Sequence, residues 1–137
     1  MSTDISMQTT TYQVGNRQWL LDEPDYKPNV TLDISKFTQG THFPNGYIPS
    51  GTAIGKLTSG GLFGPYDDTK SDGTQTLYGY TYGDVRAVRQ NGTVATKVGT
   101  GAVVSGAVSV SKLPFSTGAG AVDANGKDDT PTIRYEA

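Results

Sequence analysis

Side chains able to move a proton, attack a carbon or hold a metal are sparse in this sequence, and poorly grouped. Cysteine is absent, which removes a disulfide framework, a thiolate zinc site and a cysteine nucleophile. The one histidine, His42, lies in Gly40-Thr41-His42-Phe43-Pro44. A lone imidazole cannot build a multi-histidine metal site, and no nucleophile-elbow pattern supplies a serine for it to activate. His42 therefore reads as a loop histidine. Gly51-Thr52-Ala53-Ile54-Gly55-Lys56-Leu57 has the look of a phosphate loop, but three residues separate its glycines where four are needed, and Leu57 stands where Ser or Thr would hold magnesium. No helical pattern follows it to offer a positive N-terminus. Asp67-Asp68 and Asp128-Asp129 lack EF-hand spacing and read as solvated turn residues. Asn29-Val30-Thr31 and Asn91-Gly92-Thr93 match glycosylation sequons, which matter only in a secreted eukaryotic chain. These residues predict a protein that is not an enzyme and takes no metal or cofactor.

Two aromatic features point to binding. Tyr78, Tyr80 and Tyr82 recur with period two and so share one face of a strand, opposite Leu77, Gly79, Thr81 and Gly83. Such a row is either ordinary cross-strand packing or a platform for a partner. Trp19, the only tryptophan, stands beside Leu20 and Leu21 in an otherwise polar stretch. It reads either as packing on its own domain or as an anchor for another protein, since tryptophan is enriched at binding hot spots.

The elements that would position these residues are short strands. Gly numbers 18 and Tyr 8 in 137 residues, a composition of strands joined by glycine-rich turns, in a length that suits one domain. Residues 1–28 are polar, with Pro24, Pro28 and clustered charges, and read as an extended arm. Val30, Leu32 and Ile34 alternate with Thr31, Asp33 and Ser35 over residues 29–37, the signature of a half-buried strand. Asn45-Gly46 predicts a turn, Asp72-Gly73 a surface hairpin loop, and Asn91-Gly92 a hairpin after a strand over 77–88. Val108-Ser109-Val110-Ser111 again has period two, and residues 132–135 close the chain as a last strand. Residues 123–129 have room for one helical turn, against which Asn125-Gly126 argues. The fold class expected is all-β: a small barrel or sandwich-like domain over 29–137 with an extended N-terminal arm and at most one short helical turn near the C-terminus.

The net charge is −2, with both signs scattered. No basic patch predicts nucleic acid as a partner, and no polybasic stretch predicts an anionic membrane. The N-terminus has neither the charged nor the apolar region of a secretory signal, and no apolar run is long enough to span a bilayer. A chain made in a cytoplasm is expected.

Val30-Thr31-Leu32-Asp33-Ile34-Ser35-Lys36-Phe37, then Gly46-Tyr47-Ile48-Pro49-Ser50-Gly51-Thr52-Ala53-Ile54-Gly55-Lys56-Leu57, then Gly61-Leu62-Phe63-Gly64-Pro65-Tyr66-Asp67, resembles in its order the head decoration proteins of tailed bacteriophages, particularly those of actinobacterial hosts. The ending Pro131-Thr132-Ile133-Arg134-Tyr135 fits the same pattern, so the resemblance spans residues 29–137. It implies a structural virion protein on the outer surface of the phage head. There it would form a homotrimer at three-fold and quasi-three-fold positions and bind the major capsid protein, stabilising the shell against internal DNA pressure. Its arm would reach onto the shell, with Tyr12, Trp19, Leu20 and Leu21 as capsid-binding residues and Tyr78, Tyr80 and Tyr82 as a further partner surface. The alternative is a carbohydrate-binding or adhesion module that uses the tyrosine row as an exposed stacking platform.

Overall fold

The structure, a computed structural model, describes residues 17–22, 24, 26–89 and 91–136. In chain order its elements are β1 (Leu20–Asp22), β2 (Asn29–Asp33), α1 (Gln39–His42), β3 (Tyr47–Ile48), β4 (Ala53–Lys56), β5 (Phe63–Pro65), β6 (Gly79–Thr81), β7 (Val85–Arg86), β8 (Lys97–Val103), β9 (Gly106–Ser109), α2 (Ala124–Asp129) and β10 (Ile133–Glu136). The architecture is all-β. Strands close into a barrel in the order β2-β5-β4-β6-β8. Its neighbours are antiparallel except β2 and β5, which run parallel with Leu32 opposite Phe63. A second sheet has the order β1-β9-β10, and β3 pairs with β7 as a separate ribbon. In the second sheet β1 is antiparallel to β9, and β10 parallel to it.

The alternation of residues 29–37 does bury Val30, Leu32 and Ile34 on one side. The extended strand stops at Asp33, however, because its carboxylate accepts from the amide and the hydroxyl of Ser35 at 3.1 and 2.6 Å and caps a 3-10 turn over Ile34–Lys36. The strand expected over 77–88 is two strands. Between them Asp84 turns aside so that its carboxylate accepts the Ser50 amide at 2.8 Å. The hairpin at Asn91-Gly92 is present: Arg89 N–H donates to Thr93 O at 2.8 Å, and Gly92 takes the left-handed φ of 86°. Among the described residues there are two short α-helices rather than the one turn expected, besides the 3-10 turns at Ile34–Lys36 and Val110–Lys112. The loop expected after Thr38 winds into α1, whose last residue, His42, accepts the Thr38 amide on Nδ1 at 2.9 Å. α2 forms despite Asn125-Gly126, because Asp123 accepts the Gly126 amide at 2.8 Å.

Packing explains why a second sheet is needed. Two clusters of buried side chains flank the same barrel strands. One holds Val30, Leu32, Ile34, Ile54, Phe63 and Ala102; the other holds Trp19, Ala53, Tyr66, Tyr80, Val103, Val108 and Ile133. Neighbouring residues of β4 (Ala53, Ile54) and of β8 (Ala102, Val103) therefore point into opposite clusters, as a period-two backbone requires. β6 is buried at Gly79, Tyr80 and Thr81 alike. Its close approach to β8 depends on Gly79, where any Cβ would collide with the carbonyl oxygen of Val103. The second cluster is roofed by β1, β9 and β10, so the boundary expected at residue 28 moves. The folded body includes Arg17 to Asp22, with Leu20 opposite Val108 in a ladder.

The hairpin loop between β5 and β6 is held by its own carboxylates. Asp67 accepts from the hydroxyl and amide of Thr69, and Asp72 from those of Thr74. These bonds, the hydroxyl first, hold both carboxyls below their ordinary range. A carboxyl so depressed adds stability above its unfolded value of about 3.9 and loses it as the pH falls through the lower folded value. The urea midpoint should therefore hold level from pH 7 to about 5 and drop below about 4. In Asp67→Asn/Asp72→Asn the difference between midpoints at pH 6 and pH 3 should be smaller than in the parent.

Candidate functional site

Trp19 decides where the N-terminal segment joins the body. Its indole is 1 % exposed, and Nε1–H donates to Ser50 Oγ at 3.1 Å. The Ser50 hydroxyl in turn donates to Tyr82 O at 2.6 Å. The pocket is cut to the indole at Gly51. That residue has φ of 93°, and a Cβ there would lie 2.8 Å from Nε1, so both backbone conformation and space demand glycine. The Trp19 carbonyl accepts the Ser109 amide at 2.7 Å, and its ring packs 5.6 Å from that of Tyr80 at a 44° tilt. Of the two readings of Trp19, packing on its own domain is the one realised, and this ring is not available to a partner.

The rest of the expected arm anchor divides. Leu20 is half-buried against the second cluster, whereas Leu21 is 50 % exposed. Tyr12 lies outside the described residues. Beyond β1, Tyr26 is 69 % exposed, so Leu21 and Tyr26 place two large apolar side chains in solvent on either side of Pro24. The Arg17 guanidinium and the Lys27 ammonium both lie over the Tyr82 ring, 4.6 and 4.9 Å from its centroid. Cations from both ends of residues 17–27 thus fasten this stretch to one aromatic face.

The tyrosine row is not an exposed platform. Tyr80 is fully buried, and its hydroxyl begins a directed chain: it donates to Tyr135 Oη at 2.9 Å, Tyr135 to Thr130 Oγ1 at 2.6 Å, and Thr130 to Gly126 O at 3.0 Å. Burial raises the phenol pKa of both tyrosines above the ordinary range. Tyr78 packs edge-on against Phe63, centroids 4.8 Å apart, and Tyr82 is half-buried under its two cations. The expected single face is not realised: Tyr78 precedes β6 and packs against the first cluster, whereas Tyr80 and Tyr82 join the second cluster under the second sheet. Sequence reasoning missed Tyr26, which with Tyr78, Asp129 and Thr132 lines an open groove of 440 Å³. The available signal was its setting between Pro24 and Pro28, where no periodicity exists to bury a ring.

His42 is buried rather than a surface loop residue. Nδ1 accepts from Thr38, Nε2–H donates to Ala119 O at 2.9 Å, and Phe37 and Phe115 pack on it with centroids at 5.5 and 5.4 Å. Nδ1 closes the turn of α1 on Thr38, Nε2 ties that turn to the loop of Ala119, and both ring nitrogens are thereby used. No three metal-ligating side chains cluster among the described residues. What the surface around β1 can do is present apolar contacts on a firmly seated backbone. Trp19→Ala should therefore lower the stability of the domain by about 3–5 kcal/mol, the cost of emptying a large buried aromatic site, read as a fall in the urea midpoint. No protein-family model matches the chain, and neither the curated proteins nor the solved structures compared with it include a significant match.

Proposed function

We propose that the protein is a capsid decoration protein: a non-enzymatic structural component that binds the outside of the mature phage head as a homotrimer at three-fold and quasi-three-fold positions, contacts the major capsid protein and stabilises the shell. The observation that carries this reading is the exposure of Leu21 and Tyr26 at the root of the N-terminal segment, on backbone clamped by Trp19 and by the Tyr82 cations. Apolar side chains on rigid backbone make contacts at little ordering cost. The ordered set of strand and turn motifs over residues 29–137 supports the same reading. In it, Leu21, Tyr26 and the segment containing Tyr12 touch the shell, while Trp19 holds their base in place. Such binding, confined to the mature lattice, stabilises that lattice by linkage, and the arms of a trimer raise one another's effective concentration.

The test is co-sedimentation with expanded heads that lack the protein. Saturable binding at a fixed number of copies per lattice site is expected. Leu21→Asp/Tyr26→Asp should weaken it at least about tenfold, the effect of removing hot-spot contacts, with an unchanged urea midpoint. Absence of binding by the folded parent protein would refute the reading.

A second reading, a carbohydrate-binding module, is favoured by the groove of Tyr26 and Tyr78 beside Asp129 and Thr132, since an aromatic face with hydrogen-bonding neighbours is what a sugar ring needs. It predicts glycan-array binding that Tyr26→Ala abolishes; an array with no positive glycan would remove it.

A further inference from the structure

Arg86 of the β3–β7 ribbon and Arg89 just beyond it have no acidic partner among the described residues. Between Asp84 and Asp123 the sequence contains no acidic residue, and none occurs between Asp33 and Asp67. These two stretches meet at the ribbon, where Tyr47 pairs with Arg86. Together they line an open groove of 490 Å³ that includes Gln39, Asn45, Tyr47, Arg86, Val88 and Arg89. The nearest carboxylate in sequence, Asp84, is turned to the Ser50 amide. Among the described residues the ion pair seen is Arg134 with Glu136, so neither groove arginine has an acidic partner there.

Arg86 is also held in position. Its Nε–H donates to Val88 O at 3.0 Å, and its guanidinium stands 5.7 Å from the centroid of the Tyr47 ring. Fixing one edge of the guanidinium in this way leaves its terminal N–H groups as an oriented fork, with part of the ordering cost of binding already met. The side-chain amides of Gln39 and Asn45 add donors beside it.

We propose that this groove docks a short acidic segment of a partner polypeptide other than this chain, with Arg86 forking one carboxylate and Arg89 attracting a second. Two cations are too few for a nucleic acid, whose binding rests on many neutralised phosphates, and the net charge of −2 works against any long polyanion. Five carboxylates of a second copy are poor occupants, because neighbouring groups already engage them. Asp33 is held by Ser35, Asp67 by Thr69, Asp72 by Thr74, Asp123 by Tyr66 and Gly126, and Asp129 by the Leu77 amide. The groove lies apart from Leu21 and Tyr26 in sequence.

The probe is a fluorescein-labelled hexaglutamate peptide, followed by fluorescence anisotropy at low salt against the full chain. Saturable binding is expected. Arg86→Gln and Arg89→Gln should each raise Kd at least about fivefold, within the worth of a charge-assisted pair. Arg86→Lys, which keeps the charge and loses the fork, should fall between parent and Gln variant, and Lys97→Gln should change nothing. NMR of the unsubstituted protein, free of any question of variant folding, should show peptide-induced shifts at the Gly46 and Tyr47 amides and at Arg86 Nε. Absence of saturable binding, an equal loss with Lys97→Gln, or shifts centred elsewhere would overturn the proposal. So would an oligomer of the full chain that Arg86→Gln dissolves in sedimentation velocity, since the occupant would then be a second copy.

Discussion

The structure depends on one constraint: the central barrel strands are buried on both faces. A small closed barrel ordinarily needs to bury only its interior, and its strands can alternate apolar with polar residues. Here β4 sends Ile54 inward and Ala53 outward into a second cluster, β8 does the same with Ala102 and Val103, and β6 has no exposed residue. Those outward faces are apolar and must be covered. The cover is a sheet assembled from distant parts of the chain, β1, β9 and β10, with Trp19 as its largest single contribution. The seat of the N-terminal segment is thus imposed by the hydrophobic needs of the barrel wall.

A body so thoroughly buried must also satisfy its polar groups, and it does so through a few shared atoms. No buried side-chain nitrogen or oxygen among the described residues lacks a partner. Ser50 is the hub, with the Trp19 indole, the Tyr82 carbonyl and the Asp84 carboxylate meeting around it. His42 plays the same part between two loops. Two polar groups that might have suggested chemistry, the His42 imidazole and the Tyr80 phenol, are occupied in holding the fold. The side chains left facing solvent include Leu21 and Tyr26 near β1 and the two arginines beside Tyr47.

Much of the fold was legible from residues alone. Alternation marked β2, Asn91-Gly92 marked its turn, and the density of glycine marked short strands, whereas the run Val108-Ser109-Val110-Ser111 leaves β9 after Ser109 for a 3-10 turn. Where the reading of boundaries slipped, a side chain had captured the backbone: Asp33 ends β2 early, Asp84 divides the strand after Leu77, and His42 and Asp123 fold helical turns out of polar loops. Period two assigned Tyr78, Tyr80 and Tyr82 to one face, but the strand begins only at Gly79, so Tyr78 turns to the first cluster while Tyr80 and Tyr82 go to the second, and period two carries no information about the sheet that covers them. The three-residue run Trp19-Leu20-Leu21 was visible as apolar, yet its division between inside and outside depends on a ladder with Val108, some ninety residues later (an order of separation at which loop closure, not local pattern, governs pairing). Tyr26 and the Arg86–Arg89 pair gave no periodic signal, because surface residues are not constrained by packing.

The position of β9 has a consequence for the order of assembly. Every barrel strand has been made once Val103 is complete, whereas the covering sheet joins Leu20 to Val108 and Val108 to Tyr135. During synthesis, which proceeds from the N-terminus, that sheet stays incomplete until β10 has emerged. Trp19 waits beside an unfinished surface for that whole interval. Since it is the only indole in the chain, its fluorescence reports both its seating on Tyr80 of the barrel and the arrival of the roof.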